Sequence, residues 1–160
     1  MVITIPEKNI QLLPTGFLNG AEPEVIIVDT GNYYPQQRDG PIDTIEAGMT
    51  ESRWVSEQIG HEFVKAFNAI YAVNLLARAR AQDALDRTAM PIAGDEPAAK
   101  HVVMNLVQSM GFDPVDAGTI DNSWRQQPGT PVYGLDADPN GVRLALAAAH
   151  HVRTEEWRAR

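Results

Sequence analysis

Four apolar residues in a row, Val25-Ile26-Ile27-Val28, stand between Glu24 and Asp29 with no polar alternation. A strand with one solvated face alternates apolar and polar residues. One that does not alternate is buried on both faces, as in a parallel sheet covered by helices. Glu24–Asp29 is therefore predicted to be an inner strand, and the chain must supply helices for both of its sides. Further strands are predicted at Val2-Ile3-Thr4-Ile5, closed by Pro6, at Glu62–Phe67, at Ala89–Gly94 and at Phe112–Gly118. Pro91 inside the fourth of these predicts a place near the sheet edge, because proline cannot donate to a ladder.

Helical segments fall between the strands. Glu7 to Pro23 fits a short helix and a turn, limited by Pro14 and Gly16. Thr50 is a capping residue for a helix over Glu51–Ile59, with Trp54, Val55 and Ile59 on its apolar side and Gly60 as its stop. A helical stretch follows Asn68 and runs to Leu76. Asp95 is predicted to cap a helix whose apolar positions 99, 103, 106, 107 and 110 keep the helical period up to Gly111. Asp138 and Pro139 open a last helix along Val142, Ala145, Leu146 and Ala149. Residues 30–35 read as a loop and 36–48 as irregular.

Alternating strands and helices mean right-handed crossovers between parallel strands, so the fold class is α/β with an open, mainly parallel sheet. In such sheets ligands sit beyond the carboxyl ends of the strands. Here those ends lead into Pro6-Glu7-Lys8, Thr30–Pro35, Asn68-Ala69, Gly94-Asp95 and Gly118-Thr119. A chain of 160 residues suits one domain, predicted over residues 1–149, with a polar helical or frayed tail at 150–160.

Composition narrows the chemistry. With no cysteine, disulfides, thiolate metal sites and cysteine nucleophiles are excluded. No apolar run approaches the ~18 residues of a membrane span, and Met1–Pro6 lacks the basic and apolar regions of a secretion signal, so a cytoplasmic protein with no membrane partner is the expectation. The net charge of −8, concentrated in residues 1–60, argues against nonspecific nucleic-acid binding. Neither G-x-G-x-x-G nor G-x-x-x-x-G-K-[ST] occurs. His61, His101, His150 and His151 lack partners at a telling spacing, and Ser123 and Thr130 lack a nucleophile context. The most unusual segment is Ser123-Trp124-Arg125-Gln126-Gln127-Pro128-Gly129-Thr130-Pro131-Val132-Tyr133-Gly134. It suits either a structural clamp or the wall of a ligand pocket, where an aromatic ring stacks and Arg125 meets an anion.

Five segments in order carry a resemblance: Ile3-Thr4-Ile5-Pro6, Asp29-Thr30-Gly31-Asn32-Tyr33-Tyr34-Pro35, Val64-Lys65-Ala66-Phe67-Asn68, Pro91-Ile92-Ala93-Gly94-Asp95 and the S-W-R-Q-Q-P-G-T-P-V-Y-G run. Over residues 1–149 the chain resembles the coenzyme F420-dependent NADP oxidoreductases, or NADPH-dependent deazaflavin reductases. The K-A-F-N element also resembles the reductase domain of six-transmembrane epithelial antigen metalloreductases. The resemblance implies a Rossmann domain and hydride transfer between NADP(H) and a deazaflavin (coenzyme F420) or flavin acceptor. It implies cofactor-binding roles for Thr4, Ile5, Pro6, Asn32, Tyr33, Ala66, Phe67 and Asn68. It places Trp124, Arg125, Gln126, Gln127 and Pro128 at the acceptor pocket. No catalytic acid–base residue is implied, because the reaction needs two stacked rings in near-attack contact.

Members of that family carry a strand, the glycine-rich turn, a helix and a second strand ahead of the T-I-P element. This sequence begins inside the later strand, so their phosphate-binding residues have no counterpart here. A start assigned too late, a fragment and a naturally short relative all fit. Two functions follow: a reductase, or the acceptor-facing part of one; and a non-catalytic remnant that binds other chains. An uncovered first strand, Val2–Ile5, predicts a homo-oligomer.

Overall fold

The computed structural model describes residues 1–160. Five strands form one sheet in sequence order: β1 (Val2–Ile3), β2 (Val28–Asp29), β3 (Val64–Lys65), β4 (Ala89–Gly94) and β5 (Asp113–Asp116). β1–β2, β2–β3 and β4–β5 pair in parallel, whereas β3 and β4 run antiparallel through Val64↔Gly94 and Lys65↔Ala93. The sheet is thus open and mainly parallel, as predicted, with one reversal. The reversal follows from the link between β3 and β4. Its only helix, α3 (Ala72–Ala77), buries no residue and does not act as a crossover.

Four of the strands are shorter than their apolar runs, because only part of each run joins the ladder. The fourth spans its predicted residues. It lies one strand in from the β5 edge, near the sheet edge as predicted from Pro91, and is fully buried. Proline is tolerated there because β3 reaches only Gly94 and Ala93, so the nitrogen of Pro91 meets no ladder partner on that side.

Side-chain alternation sends odd and even residues to opposite faces. Ile3, Ile27 and Phe63 pack with Tyr33, Ile45, Trp54 and Val55 on one face. Val28, Val64, Met90 and Ile92 pack with Val103, Val107 and Phe112 on the other. The first face is covered by α2 (Glu51–Ile59) and by a 3-10 helix over Glu7–Leu12; the second is covered by α4 (Pro97–Ser109). A third apolar cluster joins Ala89, Ala93 and Val115 to Val142, Ala145 and Leu146 of α5 (Pro139–Ala147). No helix is long and apolar enough to cross a membrane.

The capping of α2 by Thr50 and of α5 by Asp138 is as predicted: each side chain accepts a backbone N–H of its first turn. For α4 the cap is Glu96, not Asp95. Asp95 is taken by tertiary partners, accepting Ile120 N–H at 2.9 Å and pairing with Arg53 at 2.8 Å. Residues 36–48, predicted irregular, contain a π-turn at Pro35–Asp39 and a short helix, α1 (Asp43–Glu46). The C-terminal residues do not extend α5, and within them Glu155–Trp157 form a 3-10 turn. They run as a strap held by Gln36, whose amide donates to the carbonyls of Glu155 and Arg158, and by Arg153, which pairs with Glu51.

Candidate functional site

A cleft of about 530 Å³ opens at the carboxyl ends of β1, β2 and β3. Thr4 follows β1; Thr30, Asn32 and Tyr34 follow β2; Phe67 and Asn68 follow β3. Ile70, Tyr71 and Leu75 form one wall, Leu106 and Met110 of α4 another, and Tyr133 closes an end. None of the lining residues is charged. A mainly apolar lining without cations suits an uncharged ligand better than a phosphate.

The floor is pinned residue by residue. Thr30 N–H donates to Ile3 O at 3.1 Å, and Gly31 N–H donates to Asp29 Oδ1 at 2.9 Å. Asn32 and Asn68 exchange amide bonds: Asn32 Nδ2 donates to Asn68 O at 2.9 Å, and Asn68 Nδ2 to Asn32 Oδ1 at 3.1 Å. Tyr33 N–H donates to Glu51 Oε2 at 3.1 Å, and Tyr34 N–H to Asp39 Oδ2 at 2.8 Å. Asn68 is locked from behind by Gln126, whose Nε2 donates to Asn68 Oδ1 at 2.8 Å and whose carbonyl accepts from Asn68 Nδ2 at 2.7 Å. Phe67 has φ +65°, in the left-handed region that a bulky L-residue enters at a cost of about 1–2 kcal/mol. Strain held in place by such a network is a mark of sites built for a ligand.

Beneath the floor lies a buried charge cluster. Lys65 Nζ donates to Asp29 Oδ2 and to Gly31 O, both at 2.6 Å, which ties the β2 loop to β3. Glu7 and Glu51 lie beside them, fully buried. Burial, then Asp29, pushes the Glu7 carboxyl well above the usual carboxylate range, and neither of its oxygens has a hydrogen-bond partner. Burial also raises Glu51, against the pull of Arg153 and Lys65. For Lys65, burial acts to lower the pKa, but Asp29, Glu7 and Glu51 outweigh it and keep the ammonium charged. Position 31 must be glycine for lack of room: a Cβ there would lie 2.8 Å from Glu7 Oε1 and 3.0 Å from Asp29 Oδ1.

Of the eight residues named for the cofactor, Thr4, Asn32, Phe67 and Asn68 line the cleft. The other four face elsewhere. Ile5 packs against the core on the opposite face of the sheet, Pro6 precedes the 3-10 helix, and Ala66 is buried in the α4-side core. Tyr33 is fully buried; its hydroxyl accepts Ile42 N–H at 2.9 Å, and burial pushes its pKa up to about 12. In an extended loop, residues 32 and 34 share a face and 33 takes the other, so Tyr34 stands where Tyr33 was expected.

The acceptor-pocket residues lie apart from the cleft. Trp124 and Gln127 line a separate hollow of about 160 Å³ with His151, Arg153 and Arg158, and Pro128 lines a smaller one of about 20 Å³. Arg125 stacks over the Trp124 ring at 5.3 Å, and Gln126 is fully buried behind Asn68. Trp124–Pro128 thus lie outside the cleft, and the same segment reaches it through Tyr133 instead. The sequence reading passed over Tyr34, Tyr71 and Tyr133; period-two alternation around Asn32 was the available signal for the first.

No family model matches the chain. A 74-residue stretch, 46% of the chain, is 58% identical to "Putative protein YjhV" of Escherichia coli (strain K12), covering 52% of that protein. Among solved structures, a hypothetical protein, SMa0349 from Sinorhizobium meliloti, superposes with TM-score 0.71 at 29% identity, over 85% of this chain and 64% of that one. A putative F420-dependent NADP reductase from Arthrobacter sp. FB24 superposes with TM-score 0.57 at 22% identity, over 74% and 54%. The chain shares an open α/β fold with the two solved structures, and it spans less than two thirds of the length of each of these three relatives.

Proposed function

We propose that the chain is the acceptor-facing part of an NADP-linked oxidoreductase that passes a hydride between NADPH and a deazaflavin (coenzyme F420) or flavin ring. The observation that carries this reading is the charge-free cleft at the carboxyl ends of β1–β3, floored by the Asn32–Asn68 lock and the strained Phe67. The fold likeness to a putative F420-dependent NADP reductase supports it.

The residues present fit the ring end of such cofactors and not their phosphates, for which the cleft offers no cation. A bound nicotinamide would supply the hydride, and a bound deazaflavin or flavin would accept it. Phe67, Ile70 and Leu75 would hold a ring against their apolar surfaces and exclude water, while Thr4 and Thr30 would meet its polar edge. With Asn32 bonded to Asn68 and Asn68 bonded in turn to Gln126, the floor would hold its shape around a ring, which favours near-attack alignment.

The test is fluorescence titration of riboflavin and of coenzyme F420 against the chain, followed by NADPH oxidation in the presence of whichever ring binds. Quenching that saturates at micromolar protein supports the reading. Unquenched rings at millimolar protein would end it. A second reading, a non-catalytic binding module, rests on the outer edge of β1 and on Val2, Leu106 and Met110, which are exposed at the cleft rim. Saturable association of the chain without ring binding would favour that one.

A further inference from the structure

We propose that Tyr34 and Tyr133 act as one paired-hydroxyl donor that grips a carbonyl oxygen on the edge of the ring in the cleft. This deepens the reading above and rests on it.

Their hydroxyls hydrogen-bond each other across the cleft, though the residues come from the β2 loop and from the segment after the Trp124 clamp. Neither hydroxyl has another protein partner. Two phenols carry two protons, and their mutual bond uses one. The second O–H has no protein acceptor, and the nearby walls are the apolar side chains of Phe67, Ile70 and Leu75. An O–H facing such a surface is best satisfied by an acceptor that a ligand brings. The hydroxyl that accepts within the pair becomes a stronger donor outward, because hydrogen bonds in a chain polarise one another.

Two further observations fix the chemistry. Burial, then the bond to Tyr34, raises Tyr133 above the ordinary phenol range, so its hydroxyl keeps its proton at neutral pH. The rings are also braced. Trp157 of the C-terminal strap lies 6.1 Å from the Tyr34 ring and 6.3 Å from the Tyr133 ring, and Tyr71 meets Tyr133 edge-on at 6.2 Å. The Arg38 guanidinium lies over the Tyr34 ring at 4.9 Å but is paired with Asp39, and no residue lining the cleft is charged, so a neutral donor here suits a neutral acceptor. The ligand class is a planar heterocycle with a carbonyl on its edge, which covers both the dione of a flavin-type ring and the carboxamide of nicotinamide.

The 160-residue chain and its Tyr34→Phe and Tyr133→Phe variants are titrated separately with riboflavin and with nicotinamide. Raman spectra then record the carbonyl stretch of whichever ligand binds. Either substitution should weaken binding about threefold to tenfold. Each single variant keeps one hydroxyl able to donate, so the double variant should lose more than either single one. The carbonyl stretch should fall on binding to the parent chain, fall less in each single variant, whose remaining donor is no longer polarised by its neighbour, and stay at its free value in the double variant, a change that altered packing alone would not produce. The ligand showing the effect identifies the source. Binding to the parent chain with an unshifted carbonyl overturns the tyrosine donor and leaves the proposed function standing. Failure of both ligands to bind overturns the two together.

Discussion

Phe67 holds a left-handed backbone with one of the largest apolar side chains, two residues past the end of β3. Glycine there would recover about 1–2 kcal/mol of backbone strain and give up a comparable amount from the half-buried ring. Phe67→Gly should therefore leave the urea midpoint nearly unchanged while ring binding falls several-fold. A drop above about 3 kcal/mol with undiminished binding would make the ring a core element. Glu7 makes a different prediction. Its folded pKa lies above the ordinary 4.5, so the stabilisation it provides is complete below that value and is lost as pH climbs from there through the folded value. Glu7→Gln removes the titration. The variant should match the parent chain near pH 4 and exceed it at pH 8, the gap opening by about 1.4 kcal/mol per pH unit inside the window. Parallel stability curves from urea unfolding across that range would refute this. Neither residue could be singled out from the sequence for these roles. A positive φ at phenylalanine and an unpartnered buried carboxyl are outcomes of tertiary packing, and no local pattern encodes them.

At the level of elements, legibility follows how local the determinants are. Thr50 and Gly60 act within one helix, and α2 appears at the predicted residues. Asp95 looked equally good as a cap, but Arg53 and Ile120 claim it from distant segments, and Glu96 caps instead. The clamp loop stood out by composition, yet its direction depends on the strap, since Trp124 meets His151 and Gly129 meets Trp157. Gly129 has φ +86°, and a Cβ there would fall 2.5 Å from Trp157 Cδ1. Gly129→Ala should cost about 2–3 kcal/mol from strain and overlap together. With Trp157 already replaced by alanine, the same change should cost only the backbone part, about 1 kcal/mol. Thermal unfolding of the four proteins in this cycle measures the coupling, and strictly additive costs would show that the strap does not bear on the loop.

Across the whole molecule, the sheet ends at β1, which pairs with β2 alone. Its outer edge adjoins exposed Val2 and the apolar rim of Leu106 and Met110. A free edge beside apolar surface recruits a further strand, although a ladder of only two residues limits the strength of that contact. Concentration-dependent association should show in light scattering, and riboflavin should reduce it if the rim takes part. A monomer at all concentrations whose Ile3 amide exchanges slowly would speak against it. The cleft itself has a consequence for ionic strength. Counter-ions screen interactions between charges over about 10 Å at 0.1 M salt, but no charged side chain lines this space. Riboflavin should therefore bind as tightly in 0.5 M as in 0.05 M sodium chloride. Whatever salt dependence a phosphate-bearing cofactor displays would then measure contacts made wholly outside the cleft.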